Sequence, residues 1–116
     1  MSDLFECGTV LFESDADEEV LKIECVITPE GELDILQESA GPLTEWCFEE
    51  SPHRIETVVD AASTADLMDY YQLESRWQLL ALLRLEYAGY DSCRLIRRRM
   101  KRLGISYRVV EAPVYR

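Results

Sequence analysis

Leu21-Lys22-Ile23-Glu24-Cys25-Val26-Ile27-Thr28-Pro29-Glu30-Gly31-Glu32-Leu33 decides the fold. Leu21, Ile23, Cys25 and Ile27 alternate with Lys22, Glu24 and Val26, the period-2 pattern of a strand with one buried face. Thr28-Pro29-Glu30-Gly31 then places Pro second and Gly fourth, as a type I turn prefers. Leu33, Ile35 and Leu36 resume the apolar pattern, so the spacing predicts a hairpin over residues 20–38.

Toward the N-terminus, residues 4–12 read as a first strand, with Phe5, Cys7, Thr9 and Leu11 on one side. Glu13-Ser14-Asp15-Ala16-Asp17-Glu18-Glu19 is too charged to bury and is expected as an exposed acidic loop. Toward the C-terminus, Ala40-Gly41-Pro42 breaks the pattern. Trp46 and Phe48 alternate with Glu45, Cys47 and Glu49, which predicts a short strand. After the turn signal Ser51-Pro52, the β-branched residues between Ile55 and Val59 predict a fifth strand.

At Ser63 the period changes. Ser63-Thr64-Ala65-Asp66 fits a capping box, and Ser75-Arg76-Trp77-Gln78 repeats it, placing a break near Leu73–Glu74. A helix over residues 76–87, apolar through Trp77, Leu79, Leu80, Leu82, Leu83 and Leu85, is expected to be central and buried. Gly89 ends it, and Asp91 or Ser92 opens a third helix that stops at Gly104. Residues 105–111 read as a final short strand. The expectation is therefore one α+β domain over residues 1–116. Its antiparallel sheet of four to six strands comes from the strand-rich part (1–60), and about three helices (63–104) pack on one face. The other face is left partly solvated and carries many of the carboxylates.

Length and composition agree. The 116 residues are 47% hydrophobic and 30% charged, enough for one core without disulfide or metal support. No apolar run approaches the roughly 20 residues of a membrane span. Met1-Ser2-Asp3 offers neither the basic nor the apolar region of a signal peptide, so the expected setting is cytoplasmic. Cys7, Cys25, Cys47 and Cys93 are widely spaced without a C-x-x-C pair, and His53 is the only histidine. Buried reduced thiols are expected, not a metal site, and no cofactor is implied.

Charge is the main functional signal. Residues 1–60 hold 17 of the 23 acids against Lys22 and Arg54 alone, a net of −15; residues 61–116 carry a net of +4. Asp15, Asp17, Glu18, Glu19, Glu45, Glu49 and Glu50 are candidates for a surface that docks a basic protein. Against that stands a merely solubilising face. A Mg²⁺ site at Asp15 and Asp17 lacks a second set of ligands. Nucleophilic catalysis has no Gly-x-Ser-x-Gly or Cys–His pattern, and His53 sits between Pro52 and Arg54. No enzyme is expected. Arg94, Arg97, Arg98 and Lys101 share a helix face, flanked by Arg99 and Arg102, opposite the apolar stripe Cys93, Ile96, Met100 and Leu103. With the preceding helix and its Gly-containing turn, this resembles a helix-turn-helix outline. The alternative function is thus a DNA-binding or regulatory module, although a sequence pI of about 4.4 argues against direct nucleic-acid contact. Helix-dipole charge, pairing with the acidic half or a symmetric dimer would also account for the arginines. Among the aromatics, Trp46 and Tyr71 are expected in the core, while Tyr70 and Tyr90 are open to an interface role.

Three segments taken together resemble a known family: the hairpin of residues 21–33, the Ser39-Ala40-Gly41-Pro42 break, and the helical tail Leu79-Leu80-Ala81-Leu82-Leu83, Ile96 and Leu103-Gly104-Ile105. Their order is similar to that of small immunity proteins encoded beside bacterial polymorphic toxins, including contact-dependent growth inhibition systems. The long Tyr70–Glu74 stretch and the arginine-rich last helix depart from that pattern. The resemblance implies a toxin inhibitor without chemistry of its own. It would bind the C-terminal domain of a cognate toxin, commonly a nuclease whose cleft is basic. The acidic residues would then steer, and Tyr70 would serve as an anchor. A carboxylate-rich mimic of nucleic acid acting on another enzyme differs mainly in its target.

Overall fold

The computed structural model describes residues 7–16 and 18–113. Five strands form one antiparallel sheet in the order β1 (Cys7–Ala16), β2 (Glu19–Ile27), β3 (Leu33–Ala40), β4 (His53–Val59) and β5 (Arg108–Pro113). Helix α1 (Pro42–Phe48) interrupts the strands, and α2 (Ala61–Tyr70), α3 (Arg76–Tyr87) and α4 (Ser92–Leu103) precede β5. This is the expected α+β architecture, a meander closed by a C-terminal strand.

The central hairpin follows its sequence pattern. Gly31 N–H donates to the Thr28 carbonyl at 2.9 Å, closing the turn, and Gly31 takes φ +95°, a region open to glycine. Register then puts Cys25, Ile35 and Thr57 abreast, with Ile27, Leu33 and Val59 as the next buried row. Leu67, Leu79, Leu80, Leu83, Cys93, Ile96 and Met100 from the helices close over that face. The alternate positions form the solvated face, where register sets Glu13, Lys22, Glu38 and Arg54 side by side across four strands. Opposite charges therefore alternate along that row, and the sheet face is less anionic than its carboxylates suggest.

Four local expectations need correction. Residues 13–16 do not loop out: they continue β1, and Glu19 already opens β2. A strand tolerates this charge because Glu13 and Asp15 both fall on solvent-facing positions. Phe5 and Asp17 lie outside the described residues. The predicted strand around Trp46 is instead α1: Pro42 occupies its first turn, and Thr44 and Phe48, one helical turn apart, face inward. Helix α2 starts before Ser63, because Asp60 accepts the Ser63 N–H at 2.7 Å and is its cap. Finally, α3 is not buried on most sides. Leu79, Leu80 and Leu83 are in the core, whereas Trp77 and Leu85 face solvent because no third layer covers them.

The remaining helix signals hold. Ser75 and Gln78 form the predicted capping box, and Arg76 donates to the Thr28 and Pro29 carbonyls at 3.2 and 3.1 Å, pinning α3 to the central turn. The Thr64 hydroxyl donates to the Val59 carbonyl and accepts the Leu33 N–H, tying α2 to the sheet. In α4, Cys93, Ile96 and Met100 are buried as the stripe requires, and Gly104 ends the helix at φ +71°.

Candidate functional site

Register gathers the acidic candidates at one end of the sheet. The β1–β2 tip (Ala16 opposite Glu19), the end of β3 (Ala40 opposite Val20), the start of β4 (His53 opposite Ser39) and the end of β5 (Pro113 opposite His53) all meet there. Helix α1 lies between β3 and β4 at the same end. Gly41, at φ +133°, lets the chain pass the β1–β2 tip closely: a Cβ there would stand 2.5 Å from the Glu18 carbonyl oxygen. Asp15, Glu18, Glu45 and Glu49 are exposed around this end.

Two of the seven acidic candidates have internal duties. Glu19 turns its carboxylate onto the start of α1, accepting from the Leu43 N–H at 2.8 Å, the Thr44 N–H at 3.2 Å and the Thr44 hydroxyl. Gly41 has no side chain to cap this helix, so a residue from β2 does it. Glu50 holds His53, with Oε2 2.8 Å from Nδ1, while Glu111 Oε2 stands 3.4 Å from Nε2. His53 is only 6% exposed and stacks on Phe48 at 4.0 Å between centroids. It therefore joins α1, β4 and β5 in one cluster.

The exposed acids keep their charge uncompensated by the C-terminal arginines. Among the described residues the ion pairs between Lys or Arg and a carboxylate are Lys22–Glu24 and Asp91–Arg94, while the Glu50 and Glu111 carboxylates stand beside the His53 ring. None joins α4 to the acidic end. Arg99 instead donates to the Tyr71 hydroxyl at 3.2 Å. Tyr70 is exposed at the end of α2, edge-on to Tyr71 at 4.9 Å between centroids; no hydrogen bond or ring contact among the described residues links it to α1.

Sequence reading missed the apolar part of this end. Trp46, expected in the core, is 81% exposed, and Leu43, three residues earlier on the same helix, is 60% exposed. The i,i+3 spacing sets them side by side on the outer face of α1, whose Glu45 and following Glu49 are also exposed. Solvent-exposed tryptophan beside leucine, rimmed by carboxylates, has the composition of an interface core with a polar rim. Only the recognition of a helix at residues 42–48 would have shown that these two side chains share a face.

Other titrating groups lie elsewhere. Partial burial, and then the neighbouring Glu32 and Glu56, push the Asp34 carboxyl on the solvated sheet face up to about 7. Its Oδ1 is buried without a hydrogen-bond partner among the described residues. Burial raises the Cys25 and Cys93 thiols to about 12 and about 11, so both pack as small hydrophobes. Cys47 is exposed on α1, unlike the buried thiol expected there. Among the described residues, no three His, Cys, Asp or Glu side chains converge to hold a metal ion. No helix among them is long and apolar enough to cross a membrane. Compared with protein-family models, curated proteins and solved structures, the chain matches none.

Proposed function

We propose that this protein is an inhibitor of the immunity type, which binds a basic protein domain through the acidic end of its sheet and neutralises it. A toxin nuclease is the partner whose chemistry fits best. Its cleft must attract a polyanion, so it presents positive charge to any protein that covers it. The observation that carries this reading is the convergence of Asp15, Glu18, Glu45 and Glu49 around exposed Trp46 and Leu43, without a neutralising cation among the described residues.

The division of labour follows from physical chemistry. Carboxylates accelerate encounter through long-range attraction, whereas affinity requires desolvated anchors. Trp46 and Leu43 supply that apolar area where the charge is densest, and Tyr70 is a further anchor only for a partner that also reaches α2. Glu19 and Glu50 act indirectly, by holding α1 and His53 in place. The inhibitor performs no chemistry in this reading and needs no cofactor.

The test is to read the gene directly upstream for a large secreted protein with a variable C-terminal domain, and to co-express that domain with this protein. Co-purification of the two chains and rescue of growth from that domain's toxicity are the expected results. A toxic domain that neither binds the protein nor is relieved by it contradicts the proposal.

A further inference from the structure

A second charged surface lies on α4 and is independent of the acidic end. Six of its twelve residues are cationic (Arg94, Arg97, Arg98, Arg99, Lys101 and Arg102), and none is acidic. The apolar stripe is buried, so the basic side chains face outward: Arg94, Arg98, Lys101 and Arg102 are exposed and Arg97 half-buried. Only Arg94 makes an ion pair among the described residues, with Asp91 at 3.3 Å. Shallow recesses flank the stripe. One, of about 300 Å³, is lined by Arg94, Arg97, Arg98, Lys101 and Tyr107. The other, of about 230 Å³, shares Arg98 and adds Arg99 and Arg102.

We propose that the α4 stripe is a sequence-independent binding surface for the phosphate backbone of duplex DNA. Arginine outnumbers lysine five to one on this helix, which favours planar, two-pronged pairing with phosphate oxygens. Arg94, Arg97, Arg98 and Lys101 follow the three-and-four spacing over two turns, about 10 Å of helix. A single helix of that kind fits a major groove about 12 Å wide and meets phosphates along its walls.

What the helix lacks selects among polyanions. No large apolar side chain of α4 is exposed, so the stripe has no anchor for an acidic protein and no wedge for a lipid surface. Tyr107 and Tyr87 line the two recesses but both are half-buried, so neither is the open stacking platform that single strands use. The chain's net charge of −11 does not forbid the contact. At physiological salt, charges more than about 8 Å away are largely screened; Asp91 at the start of the stripe and Glu86 in the second recess are acids that stand beside it.

The experiment is fluorescence anisotropy with a labelled, mixed-sequence duplex of about 20 base pairs, from 50 to 200 mM salt. If four cationic side chains each neutralise one phosphate, affinity falls about 150-fold over that range. Replacing two of them, with Arg98→Gln and Lys101→Gln, reduces the loss to about 12-fold. Both side chains are solvent-facing, and circular dichroism checks that the fold is kept. Should the pair unfold, Arg98→Gln alone lowers the salt exponent by about one. Absence of a complex at 50 mM salt overturns the proposal, as does an unchanged salt dependence in the variants. Polyglutamate of matched charge is expected to compete poorly; competition equal to that of unlabelled duplex would overturn the proposal in favour of an acidic protein partner.

Discussion

The acidic end and helix α4 are both dense in unpaired charge, yet they are built differently. Around α1 the carboxylates rim Trp46 and Leu43, two apolar side chains held out in water; on α4 the arginines surround nothing apolar that is exposed. Charge without an anchor suits a partner whose attraction is itself mostly charge, as a phosphate backbone is. Charge around an anchor suits a protein, where electrostatics sets the rate of encounter and buried aromatic area sets the lifetime. Overall acidity conceals this asymmetry. Each surface is legible only through what accompanies its charge.

Reversing the charge at the acidic end is the largest way to break the contrast. The combined change of Asp15, Glu18, Glu45 and Glu49 to lysine should slow association with the proposed basic partner by about 10- to 1,000-fold at low salt. Stopped-flow association kinetics check it. Removing the anchor should act on the other rate: Trp46→Ala is expected to cost about 2 kcal/mol of binding, roughly 30-fold, through faster dissociation. Because Trp46 is exposed, thermal stability should change by less than about 0.5 kcal/mol. A Trp46→Ala variant that dissociates at the normal rate would make the two surfaces alike, both charge alone.

Smaller effects sharpen the account of how the acidic end is held. Glu19→Ala removes the acceptor at the start of α1 and should cost about 1 kcal/mol, with faster amide exchange at Leu43 and Thr44. The smallest effect is a pH dependence from Asp34. Its carboxyl is raised to about 7 in the folded protein, so between the ordinary carboxylate range and about 7 the folded state keeps a proton that the unfolded chain has lost. Stability contributed by this group is therefore present at low pH, declines as pH rises through that window, and falls no further above it. Asp34→Asn should raise the melting temperature at pH 8 more than at pH 4, and equal shifts at both would remove Asp34 from the dependence.

The two surfaces were unequally visible in the amino-acid order. Helix α4 is written locally: stripe, arginine spacing and Gly104 stop lie within thirteen consecutive residues, and all appear in the structure as read. The hairpin through Thr28–Gly31 was equally local. The acidic end was not. Over residues 45–49 the order Glu-Trp-Cys-Phe-Glu fits a short strand or a single turn of helix equally well. What decides for the helix is Glu19, more than twenty residues earlier, whose carboxylate satisfies the first free N–H groups. Trp46 reads as a core residue because large aromatics usually bury, and only the helical turn that puts Thr44 and Phe48 inward turns it outward. The β1–β2 extension was hidden by charge, since a run of acids reads as a loop until register shows which members alternate toward solvent. Glu111 reaches His53 across the β4–β5 pair, a contact with no local signature.

The most direct test of the central claim is the association rate of the unaltered protein with the basic toxin domain proposed as its partner, followed as salt is raised. Attraction by the acidic end predicts a rate that falls steeply with salt while the dissociation rate stays nearly constant. An association rate indifferent to salt would mean that the carboxylates around Trp46 do not guide the encounter, and the account would be contradicted.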